Sequence, residues 1–238
     1  MIWCLHGFLG EGLDWEPLRD AIRREASLES DAPSLFSGKD EVAPIETWAR
    51  QFTEKIAGGD PDPILIGYSM GGRLALHALL ESPARFRAAI IISAGLGIED
   101  SETRVARQAQ DERWALRFES DEPWPEVISN WNALPVFGGR PSPFVRIEDH
   151  FDRRALAEGM RLWSPARHQF LLPRLASVDV SLLWLAGEDD PKYVAEGRRA
   201  VANLPQARLE VIPGAGHRVP WENFPAASKS IVAFLESI

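Results

Sequence analysis

The chain has 238 residues, 45% of them apolar, with a formal net charge of −9 and a single cysteine. That length and apolar content fit one α/β domain with a substantial core, and the acidity excludes nucleic acid or an anionic membrane as a general partner, since no basic surplus exists to neutralise phosphate. A lone Cys4 excludes an intrachain disulfide, and its place in an apolar run predicts inert core.

The N-terminus lacks a basic n-region and its apolar run is cut by His6 and Gly7, so neither a signal peptide nor a membrane span is expected, and a cytoplasmic location is. Neither an internal repeat nor a Cys/His cluster at metal-ligand spacing is visible, so no metal and no cofactor is expected. The sequence is silent on oligomeric state.

In chain order, the apolar runs predict parallel strands at 2–5, weakly at 27–31, then at 64–67, 88–93, 181–186 and 207–212. Ala88-Ala89-Ile90-Ile91-Ile92 and Ser181-Leu182-Leu183-Trp184-Leu185 are continuously apolar, as strands covered on both faces must be. Helices are predicted at 15–25, 45–57, 72–81, 192–202 and 224–236, which makes a doubly wound α/β sheet. Between Gly95 and Ser177 the strands stop and the text turns helical, with Trp114, Trp124, Trp131 and Trp163 and with arginine as its only basic residue besides histidine. Residues 95–177 therefore read as a helical cap inserted into a core of 1–94 and 178–238. Arginine's planar fork suits carboxylates, although most of these arginines have Asp or Glu close by to pair with.

The most specific signal is Ile64-Leu65-Ile66-Gly67-Tyr68-Ser69-Met70-Gly71-Gly72-Arg73, an apolar strand running into Gly-x-Ser-x-Gly and then a helical Leu/Ala pattern. The glycines permit a tight strand-to-helix turn that lifts the Ser69 hydroxyl above the sheet edge, at the positive end of a helix. After the next-to-last strand comes Gly187-Glu188-Asp189-Asp190, and after the last comes Pro213-Gly214-Ala215-Gly216-His217. His217 is the expected general base, with His6, His77, His150 and His168 rivals on residue type alone. Glu188, Asp189 and Asp190 all compete to orient it.

The order Ser, acid, His, each following a strand, resembles that of the α/β-hydrolase superfamily over the whole chain. Within it the chain resembles the 2-succinyl-6-hydroxy-2,4-cyclohexadiene-1-carboxylate synthases of menaquinone biosynthesis, lyases that expel pyruvate. The carrying residues are His6-Gly7-Phe8-Leu9-Gly10, Asp14-Trp15, the Gly67–Arg73 elbow, Arg104-Val105-Ala106-Arg107, Asp111, Arg113-Trp114-Ala115, Phe118, Trp131, Pro135-Val136-Phe137, Gly187–Tyr193 and His217. One turn departs: many relatives carry Asp-Leu-Pro-Gly-His-Gly after the second core strand, where this chain has Asp31-Ala32-Pro33-Ser34-Leu35.

The resemblance implies an α/β-hydrolase fold, a mostly parallel doubly wound sheet with a helical cap. It favours Asp190, the third residue after its glycine, as the orienting acid, and the backbone N–H groups of Phe8 and Met70 as an oxyanion hole. It implies that Arg73, Arg107 and Arg161 hold substrate carboxylates while Tyr68 and Trp131 line the pocket. The substrate is then a small polycarboxylate, and Ser69, His217 and Asp190 remove a proton so that pyruvate leaves. A carboxylesterase or thioesterase working through an acyl-Ser69 is the rival reading, and a non-catalytic binding protein on the same scaffold a third.

Overall fold

The computed structural model describes residues 1–36, 41–57, 59, 61–176 and 178–238. Six strands form one sheet in the order β2-β1-β3-β4-β5-β6: β1 (Ile2–Leu5), β2 (Ser30–Asp31), β3 (Ile64–Tyr68), β4 (Ala88–Ile92), β5 (Ser181–Gly187) and β6 (Ala207–Ile212). Every neighbouring pair is parallel. The weak 27–31 prediction shrinks to the two-residue edge strand β2, because Ser27 turns through φ 54° to close the preceding helix.

Strand residues alternate between two cores, as a pleat requires. Leu5, Leu65, Ala89, Ile91 and Trp184 join one core with α2 (Ile45–Ala57), α3 (Met70–Glu81) and α8 (Pro191–Val201). Cys4, Ile66, Ile90, Leu183 and Leu185 join the other with α1 (Glu16–Ala26) and α10 (Phe224–Glu236), which follows the short α9 (Val219–Glu222). Cys4 is fully buried and its thiol is pushed up to about 12 by that burial.

Between β4 and β5 lie α4 (Ser101–Glu119), α5 (Trp124–Asn132), α6 (Arg153–Leu162) and α7 (Leu172–Leu175). Asp100 and Asp152 cap α4 and α6, accepting from Thr103 N–H at 2.7 Å and Arg154 N–H at 2.8 Å. Phe118, Trp114 and Trp163 bury against the face of the sheet that carries α3. The expected boundary at Ser177 lies outside the described residues.

Candidate active site

At the carboxyl end of β3 the chain reverses through Ser69, whose φ of 53° and ψ of −109° fall where a non-glycine residue is strained. Flanking glycines make the turn possible: a Cβ on Gly71 would stand 2.1 Å from Leu5 O, and one on Gly67 2.4 Å from Gly71 O. The Ser69 hydroxyl is thereby presented to His217 Nε2 at 3.1 Å, while His217 Nδ1 donates to Asp190 Oδ2 at 2.8 Å. That second bond fixes the Nδ1–H tautomer and leaves Nε2 free to accept the serine proton. His217 is buried, and desolvation holds its pKa below the ordinary imidazole value against the opposing pull of Asp190. A neutral imidazole beside a serine hydroxyl is able to accept its proton.

Of the three competing acids, the structure brings only Asp190 to the histidine. Asp189 faces outward and pairs with Arg140, and Glu188 accepts from Gly214 N–H at 2.9 Å. The rival histidines are all engaged elsewhere. His6 Nδ1 donates to Gly7 O at 2.8 Å and its Nε2 accepts from Leu35 N–H at 3.0 Å. His77 and His168 stack edge to face at 4.8 Å, and His150 pairs with Glu11 at 2.8 Å. The departing turn at Asp31–Leu35 is tied to His6 through the Leu35 N–H bond, and none of its residues lines the cavity over Ser69.

A cavity of about 310 Å³ opens over Ser69, between the strand ends and α4, α5 and α6. Phe8 and Met70 line it; Met70 opens α3, so its N–H has no intrahelical acceptor and lies at the helix's positive end. Trp131 packs 5.0 Å from both Phe8 and Trp114, and Tyr68 packs 5.5 Å from His217, so both predicted aromatic residues face the cavity. In a chain of net charge −9, this lining carries five cations, Arg73, Arg107, Arg146, Lys192 and Arg218, against the two carboxylates Asp14 and Asp111.

Arg73 is 9% exposed, donates through Nη2 to Trp163 O at 2.9 Å and is pulled down to about 10 by burial. Arg107 also lines the cavity, held through Nε by both Asp111 oxygens at 2.8 Å, with Ser164 Oγ donating to Asp111 at 2.6 Å. Arg161 does not. Where α6 packs on α4, Glu112 and Glu119 take its guanidinium at 2.5 to 2.9 Å and push its pKa up, so the side chain is spent on joining the two helices. Most other arginines of this segment are likewise paired, Arg117 with Glu122 and Arg153 with Glu148 among them.

Sequence reasoning missed Arg146, Lys192 and Arg218. Arg146 binds Asp14 at 2.7 and 2.8 Å and Glu11 at 3.1 Å, joining the segment to the loop after β1. Arg218 could have been flagged by its place beside His217, but nothing in the sequence reveals which acid, if any, it pairs with.

The sequence model described as "Alpha/beta hydrolase family" matches residues 4–228. A 2-succinyl-6-hydroxy-2,4-cyclohexadiene-1-carboxylate synthase of Yersinia pseudotuberculosis serotype O:3 is 31% identical over 247 residues, covering 99% of this chain and 86% of that protein. The Yersinia pestis (strain Pestoides F) synthase matches with the same identity and coverage. Among solved structures, S. aureus MenH superposes with a TM-score of 0.87 at 22% identity, covering 99% of this chain and 93% of that one. A hydrolase of Pseudomonas aeruginosa PA01 follows at a TM-score of 0.76 and 19% identity, covering 98% and 89%. The strained serine between β3 and α3 and the histidine after β6 line one cavity, the acid after β5 is hydrogen-bonded to that histidine, and the chain, matched almost end to end, belongs to the alpha/beta hydrolase family.

Proposed function

We propose that this protein is a cofactor-free lyase that eliminates pyruvate from 2-succinyl-5-enolpyruvyl-6-hydroxy-3-cyclohexene-1-carboxylate, as a cytoplasmic enzyme of menaquinone biosynthesis. The observation that carries the reading is the excess of cavity cations, five against two carboxylates, in a strongly acidic protein. A substrate with three carboxylates accounts for that excess; a neutral ester does not. The sequence similarity to the Yersinia synthases supports the same substrate class.

In this reading the cap, residues 95–177, covers the site, and Ser69, His217 and Asp190 act as one base. His217 accepts the Ser69 proton while the serine oxygen takes the proton α to the succinyl ketone. The electron pair of that carbon–hydrogen bond moves toward the ketone, whose oxygen becomes an enolate accepting from the Phe8 and Met70 N–H groups. Collapse of the enolate forms a double bond between ring carbons 2 and 3, shifts the original 3,4 double bond to carbons 4 and 5, and breaks the carbon 5–oxygen bond to the enolpyruvyl group, which takes up a proton at carbon and leaves as pyruvate. Arg73 and Arg107 hold carboxylates in place during the transfer.

The test is pyruvate release from that substrate, followed by a coupled lactate dehydrogenase assay alongside hydrolysis of simple aryl esters. Elimination without a burst and with feeble ester turnover is expected. A stoichiometric acyl-Ser69 adduct, turned over as fast as pyruvate is released, overturns the lyase reading in favour of an esterase.

A further inference from the structure

Arg218 follows the base directly, and its side chain is 5% exposed in the wall of the cavity. Nη2 donates to Asn132 Oδ1 at 2.6 Å, and the guanidinium carbon lies over the Phe137 ring, 3.6 Å from its centroid. Nη1 is buried without a hydrogen-bond partner, and among the described residues no carboxylate side chain forms an ion pair with the group. Glu222 acts on the group only through space, its oxygens accepting from the backbone N–H groups of Gly216 and Arg218 and one of them lying 3.6 Å from Arg140 Nη1. A buried guanidinium without an ion-pair partner is costly, and a cavity wall is where a ligand anion can supply one.

Arg73 is the only other cavity arginine in this state, its Nε buried and unpartnered and no carboxylate in ion-pair contact among the described residues. The two have separate surroundings. Arg73 sits on the helix that starts at the serine, against Trp163; Arg218 sits on the loop that carries the histidine, against Asn132 and Phe137. One cation without an ion-pair partner therefore comes from the serine's element and the other from the histidine's.

We propose that Arg218 is a substrate-binding residue, a second carboxylate anchor across the triad from Arg73, taking up the anion that Arg161 is not placed to bind. The proposal rests on reading the cavity as a polycarboxylate site. It makes specificity a property of core loops as well as of the helical segment, and it requires a ligand with carboxylates at opposite ends.

The experiment is calorimetric titration of the full chain with tricarballylate, a stable tricarboxylate, in wild type and in Arg218→Gln, Arg218→Lys, Arg73→Gln and Arg161→Gln. Arg218→Gln and Arg73→Gln each weaken tricarballylate by about tenfold to a hundredfold, the value of a lost charge-assisted hydrogen bond, while Arg161→Gln leaves it unchanged. Arg218→Lys falls between, because an ammonium keeps the charge but not the fork. If Arg218→Gln only lowers the melting temperature and binds tricarballylate like wild type, the group is structural and the proposal is overturned. Failure of the wild type to bind tricarballylate overturns it as well. Should Arg218→Gln not fold, Arg218→Lys decides: a several-fold loss of affinity supports the anchor and unchanged affinity refutes it. Arg218-dependent tricarballylate binding in a protein that releases no pyruvate sustains this proposal and removes only the lyase assignment.

Discussion

Asp189 and Asp190 are adjacent in the chain yet serve opposite sides of the loop after β5: Asp190 turns inward to accept from His217 Nδ1 at 2.8 Å, and Asp189 turns outward to Arg140. The Gly187 carbonyl accepts from Asp190 N–H at 3.0 Å, a tight turn that leaves one side chain buried and its neighbour in solvent.

Asp190→Asn is therefore expected to be far more damaging than Asp189→Ala, because it removes the acceptor that sets the histidine's tautomer. Ser69→Ala and His217→Ala each lower turnover by about a thousandfold or more. Steady-state pyruvate release checks all four, and Asp189→Ala as the worse of the two aspartate changes would refute the assignment.

The arginines divide by their partners. Arg73→Ala removes a buried cavity cation and is expected to cost roughly 1.5–3 kcal/mol of substrate binding or transition-state stabilisation, with Arg73→Lys rescuing only part. Arg161→Ala leaves kcat and KM unchanged, since its two glutamates already hold it outside the cavity. Its effect is on stability, within about 1 kcal/mol for partly exposed ion pairs. Exposed Arg113 is the control of the same type on α4. Side-by-side kinetics and thermal melts separate the two roles.

Gly71→Ala is expected to destabilise by about 3 kcal/mol or more, in the range reserved for steric conflicts with fixed backbone. The added Cβ meets Leu5 O at 2.1 Å, at the end of the β1–β3 ladder, and His6 O at 2.6 Å, just beyond it. Urea unfolding measures it; a near-neutral result would mean that α3 can move off β1.

Acid should unfold this protein early. Burial pulls His6 and His168 down to about 4 and His77 to about 3, from an unfolded value near 6.5. Between those values the unfolded chain binds protons that the native chain refuses, so stability falls as pH drops from about 6.5 toward 4, by up to about 3 kcal/mol for each histidine. Urea midpoints at pH 7.5, 6 and 5 show the slope, and His168→Gln should flatten it. An unchanged slope would mean that this histidine does not drive the loss.

What was legible in the sequence is what short-range physics decides. The runs at 64–67, 88–93 and 181–186 became strands because continuous apolar text suits a doubly covered parallel sheet, and Gly67 and Gly71 announced the turn because only glycine fits it. The order of Ser69, the acids and His217 pointed to one site because parallel strands deliver their carboxyl-terminal loops to one edge. Tertiary structure alone decided which partner each charge found. Asp190 was separated from Asp189 by the direction of one turn. Arg161 was withdrawn from the cavity by two glutamates on α4, and Arg218 was set into its wall with Nη1 unpartnered. Ion pairing selects among residues far apart in the chain, and only the packing of α6 on α4 and of the β6–α9 loop against Asn132 and Phe137 brings those candidates within reach.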